Sequence, residues 1–186
     1  MKFAIVLLLA VPALGQKTAP YVVRPPVAAA CGSPDVEFDV KQDKTGVEPV
    51  QVQAGKALVY FIQDTGIIHR VFWQGAGVVS RIGMDGAWVG ADKGDSYFAI
   101  PVEPGEHHLC VSPQGGLEKV EVSHFTAEAG KIYYFRTRIL GGVGDGSGFV
   151  LLQIEPVDSD EAKFLIASDP VGVARPRKVM RGVGPL

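Results

Sequence analysis

Charge is scarce in this chain of 186 residues: Asp, Glu, Lys and Arg together make up 20% of it, and 18 basic against 20 acidic residues leave a formal charge of -2. No basic surface able to hold a polyphosphate follows from that balance, so nucleic acid is excluded as a partner. Cysteine is scarcer still, with only Cys31 and Cys110, which rules out a disulfide-dense miniature scaffold and a thiolate zinc cluster. Four histidines limit what a metal site could draw on. Long apolar runs are missing beyond the N-terminus, so no transmembrane span is expected.

What the chain has in quantity is turn chemistry and apolar strand material: 23 Gly, 13 Pro and 47% hydrophobic residues. Met1 and Lys2 lead into an apolar run from Phe3 to Val11, followed by Ala13-Leu14-Gly15, a small-x-small cleavage signal. Residues 1–15 read as a secretory signal peptide, and the protein as exported to the periplasm or the medium, or associated with the envelope. Residues 16–30, with three prolines and no period, read as a disordered leader. The small residues before Cys31 resemble a lipidation site, but Arg24, Pro25 and Pro26 separate that cysteine from the apolar run, which argues against a lipid anchor.

In an exported chain, two cysteines are expected to form one disulfide, here closing a long loop and contributing roughly 4 kcal/mol. Two buried thiols, or Cys110 as a metal ligand, are the alternatives.

Strand signals then recur about every ten residues. Val36, Phe38 and Val40 alternate with acidic residues; Lys56 to Gln63 is apolar on both faces, as a central strand would be; Ile67 to Trp73, Val78 to Ile82 and Ala87 to Ala91 follow, the last pair joined by the Asp85-Gly86 hairpin turn. Ser96 to Val102, Glu106 to Ser112, Leu117 to Phe125, Lys131 to Leu140 and Phe149 to Glu155 complete the series. About ten short strands predict an all-β fold, an antiparallel β-sandwich over residues 31–169, with a closed barrel as the alternative. One short C-terminal helix is expected over Asp158 to Ala167, with Asp158 and Glu161 as a cap pair. Residues 170–186, which carry Arg175, Arg177, Lys178 and Arg181, lack a period and read as a disordered, solvated tail.

Three stretches, Gly55 to Tyr60, Ser96 to Phe98 leading into Glu103 to His107, and Ala129 to Tyr134, together resemble the bacterial domain of unknown function 2846. The likeness spans about Cys31 to Asp169. It implies a small exported envelope β-domain with no assigned chemistry, and its motifs are structural.

Candidate chemistry is thin. His107 and His108 are adjacent on a strand and point to opposite faces. If Leu109 and Val111 face the core, Cys110 lies on the outer side, where the Cys31 segment can be stapled to it, His107 sits at the rim and His108 is exposed. A metal site would need His108 and Cys110 with His69 or His124, at spacings that match no compact ligand motif. Ser147 and the glycine-rich stretch Gly141 to Gly148 lack the context of a nucleophile elbow or a phosphate loop. Asp85, Asp92 and Asp95 could hold Ca²⁺ only loosely, and turn chemistry already explains them. Phe72, Trp73 and Trp88 could form an aromatic binding platform or simply pack in the core.

The expectation is therefore a non-enzymatic exported β-sandwich with no cofactor, acting on an unidentified envelope component or protein partner. A metal-binding protein or metal-dependent enzyme using His108 with His69 or His124 is the alternative.

Overall fold

A computed structural model describes residues 31–45, 50–65, 77–114, 120–140 and 150–178. The strands are β1 Val36–Asp43, β2 Ala57–Asp64, β3 Val79–Met84, β4 Ala87–Lys93, β5 Ser96–Val102, β6 Gly105–Pro113, β7 Glu121–Ala127, β8 Ile132–Leu140, β9 Leu151–Pro156 and β10 Val171–Lys178, with helix α1, Ser159–Ser168, before the last. They form a six-stranded sheet in the order β1-β10-β5-β2-β8-β9 and a four-stranded sheet in the order β4-β3-β6-β7. The expected sandwich architecture is what forms. Pairing is antiparallel except for β2 with β8 and β10 with β5, which run parallel.

β2 lies inside the larger sheet and is buried on both faces, which is why ALVYFIQ has no alternation. Its inward residues Ala57, Val59 and Phe61 meet Ile82, Met84, Leu109 and Val111 of the smaller sheet and Phe135 of β8. On the outward face Tyr60 lies between Tyr97 and Tyr134, at ring separations of 6.2 and 5.3 Å. Helix α1 lies against β2 and β8. Of the expected cap pair Asp158 plays its part, accepting from the backbone N–H groups of Asp160 and Glu161, while the Glu161 side chain turns to Arg136 instead. Arg136, only 8% exposed, reaches from β8 to Glu161 on the helix and donates from Nη2 to Glu155 Oε1 at 2.8 Å. One buried guanidinium thus ties the helix to the sheet.

Residues 171–178 correct the expectation of a disordered tail. They pair along their whole length with β1, from Val171 opposite Asp43 to Lys178 opposite Val36. Two of the basic residues join a cross-strand charge ladder: Arg177 donates to Glu37 at 2.9 Å, and Arg175 stands opposite Asp39. No period was visible because Pro176 and Gly172 interrupt it, and because the segment's only full-length partner is 140 residues away in sequence along the Glu37–Arg177 contact. Residues 179–186, the expected strand at Ile67 to Trp73 and the Gly141 to Gly148 stretch with Ser147 fall outside the described residues.

Candidate functional site

Two strand-edge features open a groove on one side of the sandwich. β1 and β10 carry the larger sheet past its partner, and the smaller sheet ends at β4, so the two edges face each other across Phe38, Ala174 and Pro176 on one wall and Trp88, Val89 and Gly90 on the other. Small residues keep the walls apart. A Cβ on Gly90 would stand 2.5 Å from the Phe98 ring, so glycine is required for that ring to line the groove. The resulting groove has a volume of about 630 Å³ and is lined mainly by apolar residues, within the usual range for a small-molecule site.

The mouth is built by the segment from Cys31 to Val36, which crosses the outer face of the smaller sheet before joining the larger one. Cys31 and Cys110 are bonded, with Cα atoms 5.6 Å apart, as the sequence led us to expect. Gly83 makes room for the crossing, since a Cβ there would lie 2.7 Å from the Cys31 carbonyl oxygen and 2.8 Å from Cys110 Sγ. Trp88 Nε1 donates to the Ser33 carbonyl at 2.7 Å, and Arg81 Nη1 donates to the Val36 carbonyl at 2.9 Å. The Arg81 guanidinium also lies 4.5 Å from the Trp88 ring centre, so the indole that lines the groove is held by the Ser33 carbonyl and by Arg81. Trp88 is half-buried, borders the groove and packs on the disulfide. Phe72 and Trp73 lie outside the described residues.

A layer of polar side chains crosses the sandwich beyond the groove. Ser96, Gln63 and Thr137 are direct neighbours on β5, β2 and β8, and Ser80 stands opposite Asp92 on β3 and β4. All five are fully buried. Gln63 Nε2 donates to the Val78 carbonyl at 3.1 Å, whereas Gln63 Oε1, Ser80 Oγ, Thr137 Oγ1 and both Asp92 carboxyl oxygens have no hydrogen-bond partner among the described residues. Burial pushes the Asp92 carboxyl well above the ordinary carboxylate range. Sequence reasoning placed Asp92 in a turn; it lies instead at the end of β4, facing inward. Strand alternation from Gly90 could have shown it. Asp85, Asp92 and Asp95 do not gather: Asp85 bonds His107, and Asp95 accepts from Thr65 Oγ1 at 2.5 Å.

The histidines fall where β6 alternation puts them. His107 is at the rim, against Phe125, and His108 is exposed, opposite His124 on β7 with ring centres 6.4 Å apart. Cys110, considered as a ligand beside His108, is used by the disulfide, and no three His, Cys, Asp or Glu side chains converge among the described residues. His69 lies outside them.

A family model described as "Protein of unknown function (DUF2846)" matches residues 53–148, from just before β2 to beyond β8. The chain belongs to this family. No curated protein and no solved structure matches it. The DUF2846 match includes Gly86 to Gly90, Phe98, Asp92 and Cys110, whereas Cys31, β1 and β10 lie outside it. One wall of the groove therefore comes from the DUF2846 segment and the other from residues flanking it. No helix among the described residues is long and apolar enough to cross a membrane.

Proposed function

We propose that this DUF2846 protein is an exported, non-enzymatic binding module of the cell envelope or extracellular space, and that the groove between β4 and β10 is its ligand site. The groove carries the reading. An apolar cleft of about 630 Å³, walled by Phe38, Phe98, Trp88 and Ala174 and propped open by glycines, suits a slender apolar ligand such as an alkyl chain. Export is supported by the signal-like N-terminus and by the Cys31–Cys110 disulfide, a bond that persists in oxidising compartments. A non-enzymatic role is the reading that suits the groove's lining, where among the described residues Ser33 is the one hydroxyl and the other side chains are apolar.

Trp73→Phe leaves Trp88 as the only indole, and its fluorescence should change saturably as n-octanol is added. Ala174→Phe, which fills the groove, should abolish the response. A flat titration in the parent protein, or turnover of generic ester, phosphate or glycoside substrates, would overturn the reading.

A further inference from the structure

Consecutive residues of β10, Gly172, Val173 and Ala174, border the groove, and so does the run from Gly86 to Gly90 on the facing side. Neighbouring side chains on a strand point to opposite faces, so an unbroken run of lining residues presents a strand's edge, main chain included. Both edges are open. β4 ends the smaller sheet, and β10 meets β5 where Val171 stands opposite Tyr97, with no further register along it among the described residues.

The direction of the β10 main chain follows from its pairing with β1. Phe38 donates its N–H to Gln114 Oε1 at 2.7 Å, and its carbonyl accepts from Gln114 Nε2 at 3.1 Å, so Phe38 and Pro176 form a non-hydrogen-bonded pair. Such pairs alternate along an antiparallel ladder, which makes Ala174 opposite Val40 the next one. The main-chain groups of Ala174 and Pro176 therefore turn away from β1, and no strand among the described residues pairs with them. Pro176 has no N–H and offers only its carbonyl. At these two residues the edge presents the Ala174 N–H and two carbonyls beside apolar walls.

We infer that the groove takes a short, uncharged, extended peptide, added as a strand to the β10 edge at Ala174. The inference rests on the groove being the ligand site and names its ligand class. The complementarity is of main-chain partial charges: a strand residue opposite Ala174 gives an N–H to its carbonyl and a carbonyl to its N–H, and the residue two positions away donates to Pro176. An alkyl chain fills the walls but leaves these groups desolvated and unmatched. No charged side chain lines the groove, so the peptide brings apolar or small side chains. From Gly172 to Pro176 the edge runs about 13 Å at the strand rise, room for about four or five residues.

The test uses the full chain carrying Trp73→Phe and follows Trp88 fluorescence with n-octanol, with acetyl-Ala-Val-Ala-Val-Ala-amide, and with the same peptide N-methylated at every amide. We expect the plain peptide to bind at least about tenfold more tightly than the methylated one, which keeps the apolar bulk and loses the donors. Ala174→Pro removes the N–H of this edge and spares the bonds to β1, so it should weaken the plain peptide about tenfold. n-Octanol should bind that variant as it binds the parent, which shows that the variant is folded. Amide exchange at Ala174 should slow on peptide binding, while Val173, already bonded to β1, stays unchanged. Equal binding of the two peptides, or a plain peptide indifferent to Ala174→Pro, overturns the strand assignment and leaves the groove reading standing. So does binding of n-octanol alone, or a dimer that Ala174→Pro dissolves, which gives the edge to a second copy of this chain. If no probe binds, both fall.

Discussion

Asp85 and His107 form a latch across the β3–β4 hairpin: His107 Nδ1 lies 2.7 Å from Asp85 Oδ2, and His107 Nε2 lies 2.7 Å from the Glu103 carbonyl oxygen. Both partners are acceptors, so both ring nitrogens must donate, and the ring is an imidazolium when the latch is complete. The other Asp85 oxygen accepts from the His108 backbone N–H at 2.9 Å, which fixes a hairpin turn in which Asp85 itself has φ 52°.

The pH dependence of the latch follows. Burial by itself would lower the pKa of His107, but its bonds to Asp85 and the Glu103 carbonyl outweigh that and raise it above 6.5. Burial likewise works to raise Asp85, but the bonds from His107 and the His108 N–H bring it below 3.8. The histidine contribution is full below 6.5 and is lost as pH rises through the raised value; the aspartate contribution is present above 3.8 and is lost as pH falls through the lowered one. Asp85→Asn should therefore cost most between these limits, about 1 kcal/mol given the exposure of Asp85, and less at pH 8. Urea unfolding at pH 5.5 and pH 8 checks it; equal losses at both would exclude the latch.

Reducing the Cys31–Cys110 bond should cost about 2–5 kcal/mol and release the mouth of the groove, since Trp88 is held by Ser33 of the same crossing segment. A lowered unfolding midpoint with a red-shifted Trp88 emission is the expected pair of observations. Intact mass of non-reduced protein should show no free thiol.

Gly90→Ala places a methyl group 2.5 Å from the Phe98 ring. It should destabilise the fold by about 1–3 kcal/mol through overpacking and weaken n-octanol binding, because the displaced ring moves into the groove. Chemical unfolding beside the fluorescence titration separates the two effects. A neutral result in both would mean the ring has room that the structure does not show.

Asp92→Asn should stabilise the ligand-free protein at neutral pH. A carboxyl whose pKa is raised on folding contributes fully below 3.8 and progressively loses that contribution as pH rises. The variant's advantage should thus shrink from on the order of a few kcal/mol at pH 7 towards zero near pH 4. Stability curves of both proteins over that range provide the measurement.

Local chemistry determined much of this molecule from sequence alone. Period-2 alternation on β6 placed Cys110 on the outer side, His107 at the rim and His108 in solvent, a direction consistent with the Cys31–Cys110 bond expected from two cysteines in an exported chain. Asp85-Gly86 marked the hairpin, and Asp158 marked the start of the helix, because turns and caps are decided by residues a few positions apart. The groove and the polar layer were decided by tertiary structure. Val171–Lys178 becomes a strand only because β1 is there to pair with it. Asp92 loses its solvent only because β10 and β5 close over it with Gly172 and Ser96. Alternation can give the face Asp92 points to, but neither contact itself has a short-range signal, since burial of a polar side chain depends on which distant strand packs against its face.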